Sequence, residues 1–203
     1  MLFDTADTPA ANIYKIVLST IVPRPIAWVT TQDIDGTVNA APFSCFNTMT
    51  DDPPILAFGM GPGVAGAKDT AGNISRTGQF VVNLVSHSLG VQMNETSFEF
   101  PKDVDELAEV GLTQLASHRV KPPRIAEAPV SFECERLMAL DVGKGRTIVL
   151  GKILAIHVQD EFVLDRARGY VKTVDLDLIG RMQGPGTYAR TTDRFEMLRP
   201  KRS

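Results

Sequence analysis

The run Ile26-Ala-Trp-Val-Thr-Thr31, the turn set Asp33-Ile-Asp-Gly36 and the return Val38-Asn-Ala-Ala41 decide the fold. The first is rich in β-branched and aromatic residues. The second has the composition of a tight turn, and the third resumes an apolar strand. Together they predict a β-hairpin. Upstream, Pro23 and Pro25 stop any helix before it. Arg24 between them is held extended, because a residue preceding proline is pushed towards β or polyproline geometry. Further upstream a helix is predicted, with Thr8 as its cap, Pro9 in its first turn and Ile13, Ile16 and Val17 as an apolar stripe.

Downstream, Pro42-Phe-Ser-Cys-Phe-Asn-Thr-Met-Thr50 is apolar and β-prone, yet small polar residues interrupt it. A strand is predicted over residues 55–59, after Pro53 and Pro54. Asp69 is placed to cap a short helix running to Arg76 and closed by Gly78. Gln79-Phe-Val-Val-Asn-Leu-Val85 is apolar enough for a central strand. Residues 88–111 read as helical and partly irregular, and 118–129 as a proline-punctuated loop. Strands follow over 130–135 and 148–158, with a tight turn at Gly143-Lys-Gly145 before the second. Short segments at 162–164 and 170–174 complete the sheet. Many short strands, one or two inserted helices and no βα alternation predict a barrel.

Length and charge narrow the function. The 203 residues suit a single domain, 1–203, with a core over about 10–175 and a C-terminal extension. The formal charge of -3 argues against a dedicated nucleic-acid binder. The one dense basic cluster, Arg199, Lys201 and Arg202, reads as a solubilising tail. The sequence contains no run of 18 apolar residues, so no membrane-crossing helix is expected, and the opening lacks the pattern of a secretory signal. Two cysteines make no disulfide framework, so a cytoplasmic location is expected.

Familiar motifs fail on context. Gly61-Pro-Gly63-Val-Ala-Gly66 matches G-x-G-x-x-G, but no carboxylate follows about 20 residues on, where the chain reads Val81-Val-Asn-Leu-Val-Ser86. A flexible loop explains it better. His87, His118 and His157 have no metal-ligand spacing, and no G-x-S-x-G element is present. Cys45 reads as a small buried or pocket-lining residue rather than a nucleophile.

More telling are hydroxyls and amides on otherwise apolar segments: Thr30 and Thr31, then Ser44, Asn47, Thr48 and Thr50, then Lys68, Thr70 and Asn73 near a helix N-terminus. Helix caps and edge-strand hydroxyls account for these letters. So does a planar cofactor carrying a phosphate, which would find backbone amides, a helix dipole and a lysine charge there.

Taken in order, the residues resemble the flavin reductase-like family. The resemblance rests on Tyr14, Pro23-Arg-Pro-Ile-Ala-Trp-Val-Thr-Thr31, Asp35-Gly36, Asn39-Ala-Ala-Pro-Phe-Ser44 and Asp52-Pro-Pro54. It continues through Lys68-Asp-Thr70, Asn73-Ile74, Phe80-Val-Val-Asn83 and Glu133-Cys134, and spans roughly residues 10–160. It implies a mainly β fold, a six-stranded antiparallel Greek-key split barrel with a few peripheral helices. It implies a homodimer with FMN near the interface, FAD being the alternative flavin, and NAD(P)H as co-substrate. The site it implies has Thr30 and Thr31 at the flavin or its phosphate. Ala41, Pro42, Ser44, Cys45, Phe46, Asn47 and Thr48 form its wall, and Lys68, Asp69, Thr70 and Asn73 continue it. Arg24 is expected to be structural and Trp28 to be core. Arg181, Tyr188 and Arg190 either close over the cofactor or pack across the dimer. The activity implied is hydride transfer from NAD(P)H to flavin, which can then supply a monooxygenase. Another electron acceptor, or flavin binding without turnover, are the other readings.

Overall fold

Strands β1 (Ala27–Gln32) and β2 (Val38–Phe43) form the expected hairpin, with Val29 opposite Ala41. The turn is closed by Gly36 N–H donating to the Asp33 carbonyl, and Gly36 takes a φ of 96° that suits glycine. The computed structural model describes residues 1–62, 69–98, 100–101 and 104–200. Beyond the hairpin come β3 (Cys45–Asp51), β4 (Pro54–Met60), β5 (Gln79–Asn83), β6 (Val130–Asp141) and β7 (Thr147–Val158). All pair antiparallel in one sheet of order β2-β1-β5-β6-β7-β4-β3. The run at 79–85 is central as expected, lying between β1 and β6.

The two edges of this sheet, β2 and β3, are consecutive in the chain and separated by Ser44 alone. Residues 38–51 are therefore one bent strand that serves both edges and curls the sheet into a split barrel. Counted by pairing there are seven strands. This is one more than expected, because the bend at Ser44 divides residues 38–51 into two strands.

Alternation sorts the side chains into two clusters. Val29, Phe43, Phe58, Phe80, Cys134 and Val149 fill the barrel interior. Gly151 is required there, because a Cβ would lie 2.3 Å from Phe80 Cζ. On the outer face, Ile26, Trp28 and Ala40 pack under the excursion between β5 and β6 through Leu89, Met93, Leu107 and Ile125. Trp28 is core, as expected: it is fully buried and its Nε1–H donates to Thr96 Oγ1 at 2.9 Å.

Helix α1 (Ala10–Thr20) starts after Pro9, and no side chain caps it, so Thr8 does not play the expected part. Helix α2 (Asp69–Thr77) ends as read, at Gly78 with φ 69°. The helical expectation for 88–111 contracts to α3 (Gly90–Glu95) and α4 (Glu106–Glu109). Asp105 caps α4 by accepting from the amides of Leu107 and Ala108. The tail adds a small sheet that the sequence did not suggest, in which Ile179–Arg181 pairs with Arg24–Pro25 on one side and Tyr188–Arg190 on the other. Arg24 is structural. Its guanidinium donates to the carbonyls of Leu18, Ile21 and Met182. Among the described residues no helix is long and apolar enough to cross a membrane.

Candidate functional site

The barrel has three surfaces that bear on function: the mouth covered by α2, the covered half of the outer face, and its uncovered half. The expected site residues are distributed among all three, except Ala41 and Phe46, which pack against the interior. Lys68 and residues 63–66 of the glycine-rich run lie outside the described residues.

At the mouth, α2 lies across the ends of β1 and β2. Ile74 enters the barrel core, and Thr70 and Asn73 are buried. Asn73 Nδ2 donates to Thr31 Oγ1 at 3.0 Å, and Asn39 Nδ2 donates to Thr70 Oγ1 at 3.3 Å. Arg76 continues the ladder, donating to Asn73 Oδ1 and bidentately to Asp33 at 2.7 and 2.8 Å. Hydrogen bonding to the Asp33 carboxylate raises the guanidinium pKa. Thr31, Thr70 and Asn73 thus hold α2 in place with side chains that already have partners. A small hollow of about 90 Å³ beside the helix start is lined by Asn39, Asp69 and Asn73.

Thr30 is elsewhere. Adjacent strand residues face opposite ways, so Thr30 points to the outer face while Thr31 points to the mouth. Thr30 is fully buried and donates to the Pro123 carbonyl at 2.6 Å. Beside it, Asn83 Nδ2 donates to the Trp28 carbonyl at 3.1 Å, and Asn83 Oδ1 accepts from Ile125 N–H and Ser131 Oγ–H. Next in the row is Glu133, also with no exposure. Burial alone would raise its pKa. The amides of His118 and Arg119 and the ring of His157 donate to it and outweigh that, holding the carboxyl below its usual range. On the inner side Cys134 is buried, which pushes its thiol pKa up, and the charge of Glu133 adds to this.

The remaining outer face, over β3, β4, β7 and the far end of β6, has no such cover. Register fixes its members. Gly59 lies opposite Cys45 on one side and Ile148 on the other, and Ala57 lies opposite Asn47 and Leu150. Leu140 and Met138 extend the rows across β6. Cys45 and Asn47 are exposed, and Met138, Leu140 and Ile148 are 48, 44 and 38% exposed. The centre of this face is small-residued. A Cβ on Gly59 would stand 3.3 Å from Cys45 Cβ, so the floor is closely packed there. Along its border β3 pairs only with β4, which leaves one row of its backbone donors and acceptors facing outward. Ser44 is half-buried at the bend and Thr48 is exposed. Ala41 and Phe46 are half-buried against the interior cluster, and Pro42 lies half-buried in β2 opposite Trp28.

Ala57, Gly59, Met138, Leu140 and Ile148 were absent from the expected site. The run Arg136-Leu-Met-Ala-Leu140 carried a signal for them, because apolar residues continue on both faces beyond the segment that the 84–129 excursion covers.

The curled antiparallel sheet is a split barrel, and comparison with known proteins agrees. Residues 18–173 match the flavin reductase like domain, and the chain belongs to that family. It is similar to 2-nitrobenzoate 2-nitroreductase of Pseudomonas fluorescens, with TM-score 0.89 and 32% identity over 98% of this chain and 96% of that one. Nitrilotriacetate monooxygenase component B of Bacillus cereus gives TM-score 0.89 and 27% identity, covering 97% and 98% of the two chains. A split-barrel protein of Shewanella frigidimarina NCIMB 400, at 21% identity and TM-score 0.83 over 99% of this chain and 100% of that one, shares the fold.

The donor set fits a flavin. An isoalloxazine needs a flat apolar floor and alternating donors and acceptors along one edge. Ala57 and Gly59 with Ile148 would form such a floor, and the outward row of β3 with Asn47 would form such an edge.

Proposed function

We propose that this protein binds FMN on the uncovered outer face and transfers hydride from NAD(P)H to it. The observation that carries the reading is the small-residued floor at Ala57 and Gly59 beside the exposed polar edge of β3, in a chain of the flavin reductase like family. Bound flavin supplies the hydride-accepting chemistry, so the chain needs no strong acid or base. What the residues supply is position. Asn47 and the outward β3 backbone bind the polar edge, and an outward-facing amide at the Cys45–Phe46 step stabilises negative charge there. Ser44, Thr48 and the start of α2 at Asp69 are assigned to the polar side chain of the cofactor. Thr31, Thr70 and Asn73 act one step back, by fixing α2, and Thr30 acts through the covered half of the sheet. Met138, Leu140 and Ile148 exclude water once covered by a second subunit, so we assign the protein to a homodimer.

The test is the visible spectrum of freshly purified protein, with released cofactor identified by mass, followed by oxidation of NADH and NADPH with added FMN or FAD. A flavin spectrum and steady turnover are expected. Absence of flavin binding overturns the reading, and FAD in place of FMN corrects the cofactor. Reduced flavin released to a monooxygenase is the destination we favour, in line with the similarity to a monooxygenase component B. A second reading, transfer to an organic acceptor, draws on the similarity to a nitroreductase. Steady reduction of a nitroarene with the flavin retained selects it.

A further inference from the structure

Among the described residues, three buried side-chain donors have no hydrogen-bond partner: Arg24 Nε, Arg124 Nε and Arg181 Nη1. Two of the three belong together. In the small tail sheet Arg24 lies directly opposite Arg181, and Arg181 directly opposite Tyr188. Residues paired this way share one face of the sheet, with Cβ atoms about 5 Å apart. Two guanidinium groups are thus set side by side, each with a buried N–H left unpaired.

No carboxylate among the described residues pairs with either group. Arg24 is only 6% exposed, and its hydrogen bonds go to the neutral carbonyls of Leu18, Ile21 and Met182. Arg181 donates to the Gly184 carbonyl and lies over the Tyr188 ring, 4.6 Å from its centre. Asp177, the acid of this region, is held by Arg190 through bonds of 2.7 and 3.0 Å. Buried charge without a counter-ion is costly, and a buried unpaired donor calls for a water or an ion. The turn over 182–187 gives a way in, since a Cβ on Gly184 or Gly186 would meet nothing within 4 Å. The chemistry of the pair selects the ion. A single guanidinium forks a planar carboxylate by itself, whereas donors from two separate groups suit an anion with several oxygens. Two positive charges match the charge of about -1.5 to -2 on a phosphate monoester at neutral pH. We propose that Arg24 and Arg181 form a phosphate-binding site, reached from the 182–187 turn. Phosphate held there joins the end of α1, the entry to β1 and the tail sheet. The inference uses none of the residues assigned to the flavin and does not rest on that reading.

The test is the melting temperature of the full chain in chloride buffer at constant ionic strength, titrated with inorganic phosphate, AMP or acetate. A saturable rise with phosphate is expected, because a ligand that binds only the folded chain stabilises it. Arg181→Gln is expected to remove the rise. Arg181→Lys keeps the charge but loses the fork, and is expected to raise the half-saturating concentration about tenfold. Arg190→Gln, in the same sheet, is expected to keep the response. Far-ultraviolet ellipticity is recorded for each variant, and Arg181→Lys decides alone where Arg181→Gln does not fold. Half-saturation at a lower concentration of AMP than of inorganic phosphate upholds the site and makes its ligand a phosphorylated molecule. Equal half-saturation upholds it with the free ion as ligand. The inference is overturned if neither phosphate source gives a saturable rise, or if acetate gives an equal one. It is overturned too by a full response in Arg181→Gln or an unchanged half-saturation in Arg181→Lys. Flavin absorbance is read separately, so a phosphate response without flavin upholds this site and overturns only the cofactor reading.

Discussion

The outer face of this sheet is finished in two different ways. Over β1, β5 and the first half of β6 it carries Thr30, Asn83, Ser131 and Glu133, each at most 2% exposed and each hydrogen-bonded to the excursion or to its neighbours. Over β3, β4, β7 and the far half of β6 it carries small and apolar residues, several of them well exposed. The first half contains polar groups because it is sealed, and there they specify how the covering loops dock. The second half is unsealed, and its small central residues leave room for something else. Polar residues on an apolar strand thus mean one thing under cover and another at an edge.

Substitutions separate the halves by size of effect. The largest is expected from Asn83→Ala, which strands the Trp28 carbonyl, the Ile125 amide and the Ser131 hydroxyl. At roughly 1–3 kcal/mol for each buried unpaired group, a loss of about 4 kcal/mol is expected in urea unfolding. Glu133→Gln comes next, at about 3 kcal/mol, because a neutral amide replaces an ion that accepts from two amides and a ring nitrogen. This site also sets a pH dependence. A carboxyl whose pKa is lowered by folding stabilises the protein above its unfolded value of roughly 4.3, and the contribution is lost as pH falls through the folded value. Acid unfolding profiles should therefore converge for the two proteins below that window and diverge above it. A constant gap at all pH values would separate Glu133 from the effect.

At the mouth, Thr31→Val removes the acceptor for Asn73 Nδ2 and is expected to cost about 1–2 kcal/mol, with faster amide exchange in α2. The smallest stability change, within about 0.5 kcal/mol, is expected for Asn47→Ala on the uncovered half. Under the proposed function that same change weakens FMN binding about tenfold, read by fluorescence titration. If Asn47→Ala destabilised the fold while leaving FMN affinity untouched, the contrast between the halves would fail.

Much of this was legible in the chain. The β1 hairpin could be read because all its signals are local: proline before, an Asp-Gly turn, β-branched residues on both sides. The same holds for Gly78, whose positive φ ends α2 where expected. The tail sheet could not be read, since Ile179–Arg181 finds its partner at Arg24–Pro25, far back in the sequence. Residues 88–111 misled because their helical letters are divided between two short helices that owe their position to packing on Trp28 and Ala40. For the site, residue types were informative and facing was not. Thr30 and Thr31 look alike in sequence, but one locks a loop and the other a helix.

The bend at Ser44 has a consequence for how this chain can vary. Phe43 and Phe46 both reach the interior, three residues apart, whereas uninterrupted alternation would send one of them outward. Ser44 therefore acts as a comma in the strand, resetting which side is read as inside. A chain one residue longer or shorter at this point would turn Phe46 out to water and Cys45 and Asn47 inward, even with every other residue unchanged. An insertion that a surface loop elsewhere could absorb would here move the candidate floor and the candidate edge together.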